Sequence, residues 1–221
     1  MDNAAVFSIG PVAVTGTVIT TWGIMLLLGG FAWFCGRSLQ ERAGMLQTAV
    51  EGVVEAMQRA IMAVAPEHGR LIMPLIATLW LFLVIANLAG LIPGVHSPTR
   101  DLSATFALAI LVFLSVHWFG VRIRGIKNYL RHYLTPSPVL LPFHTISEIT
   151  RTIALAVRLF GNIMSLEIAA MLILLVAGFL APVPILMLHV IEALVQAYIF
   201  GMLALIYVAG AIQSQQRKQQ E

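Results

Sequence analysis

Arg158 stands in the run Ile153-Ala-Leu-Ala-Val-Arg-Leu-Phe-Gly-Asn-Ile-Met, and Glu167 follows nine residues later with no charge between them. A guanidinium in the middle of an apolar helix costs from about 2.5 kcal/mol to well over 10 kcal/mol in hydrocarbon, depending on snorkelling and water defects. It therefore needs an anion, water or both. Because it stays protonated at any relevant pH, it can act as a fixed positive charge but not as a proton carrier. At about 100° per residue, Asn162, Ser165 and Ala169 fall near the direction of Arg158, whereas Glu167 points almost the opposite way and about 13 Å further along. An ion pair between the two within one helix is not expected.

Further along the chain His189 and Gln196 share a helical face at a seven-residue step, with Glu192 about 60° to one side. Glu167, His189 and Glu192 can each exchange a proton or bind a cation. A structural alternative is that Arg158, Glu167, His189 and Glu192 pair across a hairpin and fix its register. Four such groups around one permanent cation favour an ion pathway instead. Asn87 either hydrogen-bonds a neighbouring helix or joins that pathway. His117 reads as interfacial or structural, and Glu148 and Arg151 as either solvated or part of the path.

The elements that must position these groups are legible in composition. Of 221 residues 59% are hydrophobic and only 10% charged, with mean hydropathy +0.91, against about 25% charged in an ordinary soluble domain. Apolar stretches near 17–35, 71–92, 104–121, 144–177 and 185–212 are long enough to cross a hydrocarbon layer about 30 Å thick. The expected fold is an all-α membrane protein, a single integral membrane domain over 1–221, with about five crossing helices. Between 39 and 64, Leu46, Val50, Val53, Val54, Met57 and Ile61 recur at three- and four-residue steps among Gln47, Glu51, Glu55, Gln58 and Arg59. That pattern predicts an amphipathic helix lying at the membrane interface or on a partner. The last two spans are longer than a perpendicular crossing, which predicts a long tilted hairpin.

Basic residues orient the spans. Arg37 and Arg42 follow the first span, Arg122, Arg124, Lys127 and Arg131 follow the third, and Arg217 and Lys218 end the chain. The positive-inside bias then puts the N-terminus outside and the C-terminus in the cytoplasm. The loop before Asp101, whose Arg100 adjoins that acid in sequence, falls outside. Prolines at 136, 138 and 142 separate the third and fourth spans, and a Pro-containing turn at Phe179 to Pro184 separates the last two. A cleaved signal peptide is not expected, since no basic residue precedes the first apolar run. The net charge of +3 sits beside the spans and gives no nucleic-acid surface. The single Cys35 reads as a small buried hydrophobe, and no Walker motif, dinucleotide loop, His-Glu-x-x-His or nucleophile elbow is found. Neither a cofactor nor a metal is expected, and no covalent chemistry.

From Leu155-Ala-Val-Arg158-Leu-Phe-Gly-Asn-Ile-Met-Ser-Leu-Glu167 the chain resembles the signature of subunit a of the rotary F-type ATP synthase. The resemblance extends to His189-Val-Ile-Glu-Ala-Leu-Val-Gln196-Ala-Tyr-Ile-Phe, to Asn87-Leu-Ala-Gly-Leu-Ile-Pro93 and to Pro98-Thr-Arg-Asp101-Leu-Ser-Ala-Thr105. The segment Leu46-Gln-Thr-Ala-Val-Glu-Gly-Val-Val-Glu also resembles the family's region after the first span. The family order is kept over nearly the whole chain.

This resemblance implies a stator subunit in a bacterial plasma membrane, beside a rotating ring of c-subunits and the peripheral-stalk b-subunits. Two offset half-channels would carry protons or sodium ions to and from the ring. The position of Arg158 matches the arginine that faces the ring carboxylate, and Glu167, His189 and Gln196 match the polar pathway around it. Asn87 and Asp101 match positions near the outer entrance. Two departures stand out: Thr152 replaces a proline common after the basic residue matching Arg151, and Glu192 adds an acid to the last helix, which leaves proton against sodium open. The short N-terminus favours a bacterial over an organellar protein. Other classes remain as alternatives: a stand-alone channel or secondary transporter, against which the lack of internal repeats argues, or a membrane scaffold subunit.

Overall fold

The structure is a computed structural model and describes residues 5–9, 12–37, 44–92, 95, 97–125, 141–178 and 183–213. Arg42, Pro93, Gly94, Lys127, Arg131, the prolines at 136 and 138, residues 179–182, and Arg217 and Lys218 lie outside the described residues. The chain opens with a two-stranded antiparallel hairpin, β1 (Ala5–Ile9) and β2 (Val12–Thr15). Nothing in the apolar periodicity had pointed to it. Six α-helices follow: α1 (Gly16–Arg37), α2 (Met45–Val64), α3 (Gly69–Ala89), α4 (Leu102–Arg124), α5 (Leu141–Ala177) and α6 (Val183–Gln213). A 3-10 turn at Pro98–Arg100 leads into α4.

All but α2 are long and apolar enough to cross a membrane. Apart from the N-terminal hairpin the chain has the expected all-α fold, that of a multi-pass membrane protein. In α2 the polar face is laced by Gln47 Nε2 donating to Glu51 Oε1 at 2.8 Å and by an Arg59–Glu55 ion pair at 2.9 Å. These i,i+4 pairs support the helix where it faces water. Its apolar stripe is buried only towards the end, through Ile61, while Val53 and Val54 stay exposed.

Lipid tails are as apolar as leucine, so close packing rather than water exclusion must hold such helices together. The core accordingly runs through small residues: Ala109 of α4, Ala156 of α5, and Ala193, Ala197, Gly201 and Ala204 of α6 are all buried. Along α6 the four-residue step Ala193, Ala197, Gly201 opens a seam against α3. There Trp80 stacks on Tyr198, with ring centroids 6.0 Å apart, and its Nε1 donates to the Tyr198 carbonyl at 3.2 Å. A Cβ built on Gly201 would lie 1.9 Å from that same Nε1.

Helix α5 runs antiparallel to α6. Asn162 of α5 meets Gln196 of α6, and Arg151, eleven residues earlier, stacks on Tyr207, eleven residues later. Eleven residues are close to three full turns, so one face of each helix carries both contacts. Helix α4 is likewise antiparallel to α5, through Arg100–Glu167 at one end and His117–Glu148 at the other. Helix α1 stands at the edge, where only Ile24 is buried, against Ala86 and Ala89 of α3.

Gly201→Ala is expected to lower stability by about 1–3 kcal/mol, because the indole must move and release its carbonyl partner. The measurement is the unfolding midpoint in detergent. An unchanged midpoint would mean that α3 and α6 do not approach this closely.

Candidate functional site

The polar groups of α5 and α6 gather where the two helices meet. Gln196 is 2% exposed, and its Oε1 accepts from Asn162 Nδ2 at 2.8 Å. Two turns earlier on the same face of α6, His189 is also buried. Neither His189 Nε2 nor Gln196 Nε2 has a partner among the described residues. Two orphaned nitrogens in one buried stripe are costly unless water or a moving ion meets them. Glu192 sits half-buried at the margin of the same stripe, within electrostatic reach of His189.

A second cluster closes one end of the bundle. Asn87, wholly buried on α3, donates from Nδ2 to the Ala193 carbonyl of α6 at 3.2 Å and accepts from Thr99 Oγ1 at 2.8 Å. Ser97 Oγ donates to the Ala86 carbonyl at 2.7 Å and lies 2.6 Å from Thr99 Oγ1. Asp101 caps α4 by accepting from the Ser103 backbone N–H at 3.0 Å and hydroxyl at 2.6 Å, and it also accepts from Thr17 Oγ1 at 3.0 Å. Between them Arg100 ion-pairs with Glu167 of α5. Three consecutive residues, 99 to 101, thus reach α3, α5 and α1.

Arg158 differs from every one of these. It is exposed on the open face of α5, between Val157 and other apolar side chains, and makes no hydrogen bond or ion pair among the described residues. Asn162, placed near its direction by helical spacing, is turned into the seam instead. At the opposite end of the bundle, His117 Nδ1 contacts the Phe113 carbonyl at 2.9 Å, and its Nε2 lies 3.4 Å from Glu148 Oε2. Arg151 covers the Tyr207 ring at 4.6 Å.

The structure revises several readings of single residues. Arg100, adjacent to Asp101 in sequence, reaches Glu167 of α5, while Asp101 is bonded to Thr17 of α1 and to Ser103. Glu148 is half-buried against His117 rather than solvated. Glu167 pairs with Arg100 and not across the hairpin with His189 or Glu192. Sequence reasoning missed Ser97 and Thr99, hydroxyls common in any loop. Their one signal was a place beside Asn87 that only folding reveals. Among the described residues no three His, Cys, Asp or Glu side chains group as metal ligands.

Five apolar helices with a buried amide and imidazole stripe, and with Arg158 exposed on α5, define a multi-pass membrane protein that carries polar and charged groups within its spans. The family described as ATP synthase A chain matches residues 18–209. The chain is 65% identical to ATP synthase subunit a 2 of Pelobacter propionicus over 210 residues, covering 95% of this chain and 92% of that one. It is 64% identical to ATP synthase subunit a 1 of Hahella chejuensis, over 93% and 87% of the two chains. It is 57% identical to ATP synthase subunit a of Legionella pneumophila, over 97% and 94%. The chain belongs to the ATP synthase subunit a family.

Burial pushes the Asp101 carboxyl up, but bonds from the Ser103 side chain and backbone and from Thr17 outweigh it and hold the group below its ordinary 3.8. A carboxyl whose folded value is depressed stabilises the fold above its unfolded value and loses that contribution as pH falls through the folded one. Asp101→Ala is therefore expected to cost about 0.5–2 kcal/mol near neutral pH, a usual cap penalty. The gap between the unfolding midpoints of wild type and variant should close as pH drops below 3.8. A gap that stays constant to pH about 2 would refute the capping role.

Proposed function

We propose that this chain is the ion-translocating stator subunit of a bacterial rotary ATP synthase, a single integral membrane domain that catalyses nothing by itself. Its partners are a ring of c-subunits, the b-subunits of the peripheral stalk and the lipid bilayer. Its N-terminus lies outside and its C-terminus in the cytoplasm, as the basic flanks of the spans favour. It moves protons, or sodium ions, through two offset half-channels and couples that flow to rotation and so to ATP synthesis or hydrolysis.

The observation that carries this reading is Arg158. A permanent cation on an exposed apolar face cannot be left against lipid at a cost of several kcal/mol, and no acid among the described residues answers it. The anion it requires must come from outside the chain. A carboxylate on a passing c-subunit meets that need. Beside the guanidinium the ionised form is favoured, and in the surrounding hydrocarbon the neutral form. Alternation between the two loads and unloads one ion for each c-subunit that passes. Asn162, Gln196, His189, Glu192 and Glu167 form the polar walls leading to that meeting point, and Asn87 and Asp101 line the outer entrance. The driving force is about 2.3 kcal/mol per elementary charge per 100 mV, added to any concentration gradient.

Arg158→Ala in the assembled complex is expected to abolish ATP-driven ion uptake into vesicles, while assembly, followed by recovery of the other subunits, persists. Runs with and without sodium identify the ion. An assembled variant that pumps as wild type would sink the stator reading and leave a scaffold role.

A further inference from the structure

Two acids stand at the same level of the α5–α6 hairpin, in different surroundings. Antiparallel register, fixed by Asn162 against Gln196 and Arg151 against Tyr207, brings Glu192 of α6 level with Leu166, beside Glu167 of α5. Glu167 is held by the Arg100 guanidinium. Arg100 in turn is fixed by its neighbours: Thr99 is bonded to Asn87, and Asp101 to Thr17 and Ser103. Glu192 has neither hydrogen bond nor ion pair among the described residues, is half-buried, and stands one turn from the orphaned Nε2 of His189. It stands at intermediate burial between exposed Ile191 and buried Ala193 of α6.

Resting on the stator reading above, we propose that Arg100 is a positioning residue that commits Glu167 to an ion pair, and that Glu192, with His189, is the acid that takes up and passes on the ion. The titratable group that acts on Glu192 is His189 on its own helix; Glu167, near the same level of α5 by register, is held by Arg100. Asp101 at the head of α4 is occupied by Thr17 and Ser103. Arg158 stands about 12 Å further along the hairpin axis. A proton accepted by the Glu192 carboxylate is the proton it releases, so the step needs no co-reactant.

If Glu167 acts only as a partner of Arg100, removing one member leaves an uncompensated charge, whereas removing both is far milder. In vesicles carrying the assembled complex, Glu167→Gln and Arg100→Gln should each lower ATP-driven ion uptake. The double variant should recover at least fivefold over Glu167→Gln and keep the wild-type pH profile, which a mere packing role would not secure. Glu192→Gln should lower uptake at least tenfold, and Glu192→Asp should retain uptake with a displaced pH profile. A double variant no better than Glu167→Gln, or a Glu192→Gln complex that pumps as wild type, would overturn the proposal. Arg158→Ala in the same vesicles separates the two readings. If it pumps, the stator reading fails; if it is silent, the double variant and Glu192 decide this one.

Discussion

The energy of a permanently charged guanidinium in hydrocarbon governs how this chain can be arranged. Arg158 cannot shed its proton, and the described residues offer it no anion on the face where it stands. Three other charges of the apolar helices are turned towards partners: Glu167 towards Arg100, Glu148 towards His117, Arg151 onto Tyr207. Those pairings leave Arg158 without an answering acid among the described residues, on an exposed face of α5. Had Glu167 been one turn away on the Arg158 face, the two would have neutralised each other, and the surface would carry no demand for an external partner.

Polar groups elsewhere obey the complementary constraint, that lipid offers backbone and side-chain polar atoms nothing to bond. Around residues 97 to 101 the answer is a small network in which Asn87, Ser97 and Thr99 satisfy one another and two helix carbonyls. Such a network is rigid because each member is bonded within the protein. The stripe formed by His189 and Gln196 is built otherwise. Its two free nitrogens leave bonding capacity unspent, as a route for a mobile ion and water requires. Rigid turn and open stripe adjoin at Ala193, whose carbonyl takes the Asn87 bond while its neighbours on α6 carry the stripe.

Tight packing makes this division possible. The small residues of α6 let α3 approach until Trp80 rests on Gly201, and the same closeness brings Asn87 within bonding distance of Ala193. Packing and polar order are therefore one feature of α6, read on successive turns.

The sequence by itself determined the all-α membrane class, the five apolar helices and the amphipathic α2, because hydropathy and the 3.6-residue period are local properties that lipid enforces strictly. It also singled out Arg158, Glu167, His189 and Glu192 as costly residues, and helical spacing already turned Glu167 away from Arg158. What each charge meets was decided only by tertiary structure. Arg100 is separated from Glu167 by 67 residues and Asp101 from Thr17 by 84, and no periodicity within a helix encodes such distances. The N-terminal hairpin was equally hidden, since two short strands leave too little alternation to read. Which acid is paired and which is left open follows from helix register, and register is set by the fit of Trp80 against Gly201 and of Asn162 against Gln196, contacts that exist only once the helices have packed.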